Sequence, residues 1–295
     1  PALQKREMLK GFALKNNRDT GDSRRAREPM EYVEILEKDP TLDELAECQS
    51  WLATETIEKM QQFVQAGGSA AIAGVLAKLC HLSMRSHSDT QRIESAMRCL
   101  KALIKEEAGL LAVITSPDGS PSKVCESFAS GGGSLLLSEN ESLLQSAVAV
   151  LSAVAVFSEA GHRTVLAALE ELTLNTSTQS DSSMDRSMRV ENVNPFDAIV
   201  DRFRDQPRAK WQAHLLTLLN AVVNGCTDIS RRVAMRGDLA NLDFIEITRP
   251  MITAAGDEVD IQIAIFDQEM KADAAELEGS APHGFGADIA EIPLA

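Results

Sequence analysis

The sequence predicts an all-α fold built from stacked helical repeats, and three observations carry that prediction. Of the 295 residues, 44% are hydrophobic but only 4% aromatic, so the core must be assembled from Leu, Ala, Val, Ile and Met. Such a composition suits packed helices better than a β-sandwich. A Leu-x-Ala-aliphatic tetrad occurs three times, as Leu100-Lys101-Ala102-Leu103, Leu151-Ser152-Ala153-Val154 and Leu219-Asn220-Ala221-Val222. On a helix its Leu and aliphatic residue share one buried face, the Ala lets a neighbouring helix approach closely, and the x position turns away. Finally, each tetrad sits late in a long apolar segment that ends in a short break and is followed by a shorter amphipathic one. The breaks are Glu106-Glu107-Ala108-Gly109, Ser158-Glu159-Ala160-Gly161 and Gly225-Cys226-Thr227-Asp228.

Taken in order, residues 1–29 are polar and carry a basic cluster, Arg24-Arg25-Ala26-Arg27, in an otherwise acidic chain. Tyr32 to Leu36 reads as a short helix after Pro29. Asp39-Pro40-Thr41-Leu42-Asp43-Glu44 is a helix start, with acids near the positive end of the dipole. Thr54 or Thr56 caps a helix that turns Ile57, Met60, Phe63 and Val64 inward and ends at Gly67-Gly68, and Ser69 opens another through Leu79. The three tetrad helices are expected at about 89–105, 138–157 and 207–224. Phe244 to Ala255, broken by Pro250, completes the last unit. From Glu258 the apolar residues Val259, Ile261, Ile263 and Ile265 alternate as in a strand. Phe266 and Met270 extend the spacing as a helix would, and a lone strand has nothing to pair with here, so a long exit helix to about Glu278 is expected.

Long helix, break, shorter helix is the grammar of armadillo repeats. The tetrads recur at intervals of 51 (100 to 151) and 68 (151 to 219) residues, longer than the roughly 40–47 residues of an armadillo or HEAT unit. The excess is assigned to loops at Ser116–Pro121, Ser130–Ser134 and the Ser/Thr/Asn/Asp-rich stretch from Thr173 to Asn194.

Composition also excludes function classes. With 29 basic and 44 acidic side chains, the net charge of −15 repels a nucleic-acid backbone and attracts a basic partner. Five cysteines without a C-x-x-C pair fit a reducing compartment. The first residues lack an apolar signal region and no apolar run reaches the roughly 20 residues of a membrane span, so a cytoplasmic chain with no membrane span is expected. There is no phosphate-binding glycine loop, no HExxH and no Gly-x-Ser-x-Gly. The five histidines have no ligand-like pairing with cysteine. No catalytic residue, metal site or cofactor is expected, and Trp51, Trp211, Cys80 and Cys99 are read as core.

Six segments in order then resemble one family. They are Pro29 to Leu36, Arg98-Cys99-Leu100-Lys101-Ala102-Leu103, Ala149 to Val154, Leu218-Leu219-Asn220-Ala221-Val222-Val223-Asn224, Arg231-Arg232-Val233-Ala234-Met235-Arg236 and Asp260 to Ile263. This set is similar to the regulatory N-terminal half of the diaphanous-related formins, a GTPase-binding segment followed by the formin homology 3, or diaphanous inhibitory, armadillo domain.

The resemblance implies a right-handed armadillo-like solenoid and a division into a GTPase-binding segment (1–38), an armadillo domain (39–255), an exit helix (256–279) and a flexible tail (280–295). It implies a groove that holds an autoregulatory helix from the same protein's C-terminus, and a Rho-family small GTPase that displaces it. Actin would be reached only through a C-terminal half beyond residue 295, and the protein would be cytoskeleton-associated. By resemblance the groove is lined by Lys101, Lys105, Leu110, Ala149, Val150, Ala153, Val156, Thr217 and Asn220, and the GTPase meets Arg24, Arg25, Arg27, Ala53, Thr54 and Glu55. The runner-up reading is a generic armadillo adaptor for another peptide or scaffold partner, with an enzyme third.

Overall fold

The computed structural model describes residues 27–82, 85–116, 122–129, 134–180, 193–205, 211–252 and 256–280. Their regular structure is helical throughout, with no strand among them. The helices are α1 (Pro29–Glu37), α2 (Leu42–Thr54), α3 (Ile57–Gln65), α4 (Gly68–Cys80), α5 (His87–Leu103), α6 (Glu107–Ile114), α7 (Glu126–Ala129) and α8 (Glu141–Phe157). They continue as α9 (Glu159–Ser180), α10 (Asp197–Asp205), α11 (Gln212–Gly225), α12 (Ile229–Asn241), α13 (Phe244–Thr248) and α14 (Glu258–Ser280), with 3-10 turns at Leu135–Leu137 and Arg249–Met251.

Local chemistry sets most of these boundaries. Thr41 and Glu44 cap α2 reciprocally, the Thr41 amide donating to the Glu44 carboxylate at 2.8 Å; Ser86 and Asp89 do the same for α5. Thr56, not Thr54, caps α3, accepting from the Lys59 amide. Thr54 closes α2 by donating its hydroxyl to the Ser50 carbonyl at 2.8 Å. Asn140 and Asp228 cap α8 and α12 through their side-chain oxygens.

The tetrads lie on α5, α8 and α11, and their inward positions are buried: Leu100, Leu103, Leu151, Val154, Leu219 and Val222 are at most 1% exposed. These helices stack side by side in one row, with α2 before them and α14 after. The break that follows a tetrad is a packing device. Glu-Ala-Gly recurs at 107–109 and 159–161. A Cβ on Gly109 would stand 2.1 Å from the Leu103 carbonyl oxygen, and one on Gly161 2.2 Å from that of Val154. Only glycine lets the second helix turn back so tightly against the end of the first.

Two aromatic clusters anchor the ends of the stack. Trp51 lies 4.8 Å from Tyr32 and 5.7 Å from Phe63, joining α1, α2 and α3. Phe203 meets Trp211 and Phe244, and Phe244 meets Phe266, joining α10, α11, α13 and α14. Both tryptophans are core, as expected, and all five cysteines are buried thiols. Arg202, only 7% exposed, donates to the Leu136 and Ser138 carbonyls and stacks 4.1 Å above the Trp211 ring, fixing the entry to α8.

One expectation needs correction. The stretch expected to leave the helix at Thr173 stays in α9 to Ser180, so the helix after the second break is the longer of its pair. Its hydroxyls are absorbed by the helix itself, Thr176 donating to Leu172 and Ser177 to Thr173 at 2.7 Å. The helix expected after Pro29 forms over Pro29–Glu37, with Tyr32, Val33 and Leu36 buried where it packs on α3 and α4. The exit helix forms over Glu258–Ser280 despite its strand-like period. No single helix among the described residues is long and apolar enough to cross a membrane; α3 and α4 qualify only as a pair bent by 63°.

Candidate functional site

Each helix of the inner row is buried where it meets its neighbours and leaves one line of side chains facing out. On α2 the line is Asp43, Ala46, Ser50 and Ala53; on α5 it is Arg98 and Lys101, with Lys105 just past the helix end; on α8, Gln145, Ala149, Ala153 and Val156; on α11, His214, Thr217, Ala221 and Asn224. Spacings of three and four residues keep each line on one face, and the packing order aligns the lines into a continuous surface. Its middle, on α8, is apolar and open, with Val156 60% exposed. Its basic side chains are on α5. At one margin His214 reaches across from α11 toward Glu141 of α8, 3.7 Å away.

Lys101, Lys105, Ala149, Ala153, Val156 and Thr217 all lie on this surface, although the Thr217 hydroxyl is committed to the Ala213 carbonyl at 2.8 Å. Leu110 does not line it; it belongs to α6 and packs partly into the core. Val150 is fully buried, because it follows exposed Ala149 and one residue turns the helix by about 100° toward the interior. Asn220 is 7% exposed. Its amide donates to the Gln262 carbonyl at 2.8 Å and to the Gln262 side-chain oxygen at 2.9 Å. It therefore holds α14 against α11, and the tetrad's x position does not face out at this third repeat; at the second, the Ser152 hydroxyl is buried as well. Arg98, Gln145, His214 and Ala221 lie three or four residues from Lys101, Ala149 and Thr217, and Asn224 lies one further step of three beyond Ala221.

The turns that end the inner helices form a second feature. Helix α3 contacts α6, and α6 contacts both α8 and α9, so the α2–α3, α5–α6 and α8–α9 turns follow one another along an edge. Large apolar side chains are exposed there: Ile57 at 52%, Leu111 at 48% and Phe157 at 38%. Ala53, Thr54 and Glu55 form the first of these turns, with Glu55 paired to Lys59 at 3.3 Å. Arg27 is bound to α2 by a 2.7 Å ion pair with Glu47 and lies 6.0 Å from the centre of the Tyr32 ring. Arg24 and Arg25 fall outside the described residues.

A charged clamp lies at the far end of the row, between α12 and α14. Asp273, 3% exposed, accepts from Arg232 Nε at 2.9 Å and Arg236 Nε at 2.8 Å. Arg236 also donates to Asn224 at 2.8 Å and lies 5.1 Å from the centre of the Phe266 ring. Among the described residues no group of three or more His, Cys, Asp or Glu could hold a metal ion. His162 is buried with Nε2 2.8 Å from the Val222 carbonyl, and its pKa is lowered chiefly by burial.

The diaphanous GTPase-binding domain model matches residues 2–156, more than half of the chain. The chain belongs to that family. A second model, the diaphanous FH3 domain, matches residues 159–289, so the pair covers this diaphanous-family chain almost from end to end. The two models meet at the α8–α9 turn, inside the helical stack, whereas the sequence reading divides the chain at residue 38. The human protein diaphanous homolog 3 is 23% identical over 278 residues, which is 92% of this chain and 21% of that protein. Inverted formin-2 of Xenopus laevis is 19% identical over 220 residues, 75% of this chain and 18% of that one. The diaphanous-family chain thus spans about a fifth of the length of these relatives. Its fold matches the crystal structure of E. histolytica Formin1 bound to EhRho1-GTPγS with a TM-score of 0.62 at 16% identity, covering 94% of this chain and 89% of that one.

Proposed function

We propose that this chain is the regulatory region of a formin actin-assembly factor, a cytoplasmic, cytoskeleton-associated binding module without catalytic activity. It docks a GTP-loaded Rho-family protein and, exclusively of it, an amphipathic helix from its own protein's C-terminus. Membership of the diaphanous family is the observation that carries the reading, together with the solved E. histolytica relative, which was crystallised bound to a Rho protein.

The edge formed by Ala53, Thr54, Glu55, Ile57, Leu111 and Phe157 offers the GTPase an apolar contact, and the Arg24-Arg25-Ala26-Arg27 segment offers charge that speeds encounter with an acidic face. The autoregulatory helix lies in the groove, anchored on Ala149, Ala153 and Val156. Val156 and Phe157 are the last two residues of α8, the first on the groove side and the second at the edge, so the two surfaces meet at adjacent residues. That adjacency supports mutual exclusion, in which each ligand favours a different state.

A panel of Rho-family proteins, each loaded with GTPγS or GDP, tests the first half by titration against the chain. At least one member should bind preferentially in its GTPγS form. Equal affinity for both nucleotide states across the panel would favour the plain armadillo adaptor. Reversing Arg24, Arg25 and Arg27 together should slow association and flatten its salt dependence.

A further inference from the structure

Asn220 and Asn224 stand one turn apart on α11, yet their side-chain amides are turned in opposite senses. The Asn220 nitrogen donates inward, to Gln262 of α14. Asn224 instead accepts through Oδ1 from Arg236 Nη2 of α12 at 2.8 Å. A guanidinium only donates, so the atom that faces it must be the amide oxygen, and the nitrogen turns the other way. Arg236 is in no position to release that oxygen: it is 5% exposed, bound to Asp273 at 2.8 Å and 5.1 Å from the centre of the Phe266 ring. The Asn224 nitrogen has no partner among the described residues and is open to solvent. It stands beside the apolar anchor of the groove. Helices α8 and α11 close so tightly at their C-terminal ends that a Cβ on Gly225 would lie 3.5 Å from the Val156 Cα, and the Val156 side chain is 60% exposed.

We propose that Asn224 is a specificity-determining residue of the groove, and that the helix docked there carries a carboxylate, Asp or Glu, one turn from the apolar side chain that covers Val156. This rests on the groove reading given above and adds the chemistry of the occupant. The Asn224 amide dipole is held with its negative end on Arg236 and its positive end outward, and the guanidinium behind it polarises the N–H groups further. A hydrogen bond from such a donor to a carboxylate is charge-assisted and about twice as strong as one to a neutral acceptor. A lysine or arginine at the same place brings only donors to a fixed donor, leaves both unpaired and is rejected. The net charge of −15 draws basic ligands to the chain as a whole. Asn224 acts later, at contact, where it sets the register in which the helix settles. Arg236 is a positioning residue: it touches no ligand and works by fixing which end of the amide faces out.

Fluorescence anisotropy tests this, with a labelled peptide of the parent protein's C-terminal amphipathic segment titrated against the full 295-residue chain. Asn224→Asp keeps an oxygen on Arg236 but puts a second carboxylate oxygen where the outward donor stood. Its melting temperature should not fall, and its affinity for the peptide should drop about tenfold or more. Each acidic residue of the peptide is then replaced by Lys in turn. One of these peptides should bind the wild-type chain about tenfold more weakly than the parent peptide does, and should bind Asn224→Asp more tightly than it binds wild type. A side chain that only supports the fold gives no such reversal. Wild type and Asn224→Asp binding the parent peptide alike overturns the inference while the groove reading stands. So does a scan in which no Lys peptide reverses its preference. A wild-type chain that does not bind the segment at all overturns the groove reading and this inference with it.

Discussion

Replacing Asp273 by Ala removes the one carboxylate that neutralises two guanidinium groups between α12 and α14. Arg236 is 5% exposed and lies over the Phe266 ring, so it cannot turn out to water. Arg232 retains the Cys226 carbonyl at 3.0 Å and Glu276 at 3.5 Å. Breaking a buried pair by deleting one partner costs about 3–5 kcal/mol. The apolar docking of α14 rests mainly on Ile263 and Phe266, which contribute about 3–6 kcal/mol between them. The two figures are similar, so Asp273→Ala should release α14 while the rest of the stack holds, because repeats are stabilised by their immediate neighbours. Hydrogen exchange read by mass spectrometry should show amides of residues 258–280 exchanging roughly a hundred- to a thousandfold faster, with α2 and α5 unchanged. Changing Asp273 to Leu together with Arg232 and Arg236 to Met should restore protection, since well-packed apolar residues replace such a cluster without loss. Unaltered protection of α14 in Asp273→Ala would refute the clamp as the element that holds the last wall of the groove.

Four further outcomes follow from the same structure. Gly109→Ala drives a Cβ to 2.1 Å from the Leu103 carbonyl and should cost about 3 kcal/mol in urea unfolding; Gly237→Ala, mid-helix on α12 with nothing within 4 Å, should stabilise by about 0.5–1 kcal/mol. His162 is held neutral with its pKa lowered, so below the usual histidine pKa of about 6.5 the unfolded chain binds the proton that the folded chain refuses, and stability falls with pH. Substituting Gln, which can still donate to the Val222 carbonyl, should flatten that acid slope in melts between about pH 5 and 7. Val156→Asp should weaken binding of the C-terminal helix by a few kcal/mol in calorimetric titration while leaving the melting temperature unchanged, because the side chain is 60% exposed.

Much of the stack was legible in the sequence because its signals are local. The tetrads place α5, α8 and α11, Glu-Ala-Gly marks the tight turns, and Ser/Thr/Asp/Asn caps mark the starts. The failures are tertiary. Nothing in Leu219-Asn220-Ala221-Val222 announces that Asn220 reaches Gln262, 42 positions away. Val150 and Ala149 are adjacent small apolar residues that only the packing partner tells apart. Hydroxyl-rich sequence from Thr173 to Ser177 looks like loop, yet Thr176 and Ser177 donate back into the helix and Thr173 accepts from the Ala198 amide of α10. Asp273 could have been suspected as an acid on the inward line of α14, but its two arginines come from a different helix.

The most direct test of the switch is a competition. A labelled peptide of the parent protein's C-terminal amphipathic segment is bound to the chain, and a Rho-family protein that binds it is added in GTPγS and GDP forms while fluorescence anisotropy is followed. On this account the GTPγS form displaces the peptide and the GDP form does not. Simultaneous binding of peptide and GTPγS-loaded protein, with anisotropy undiminished, would contradict it.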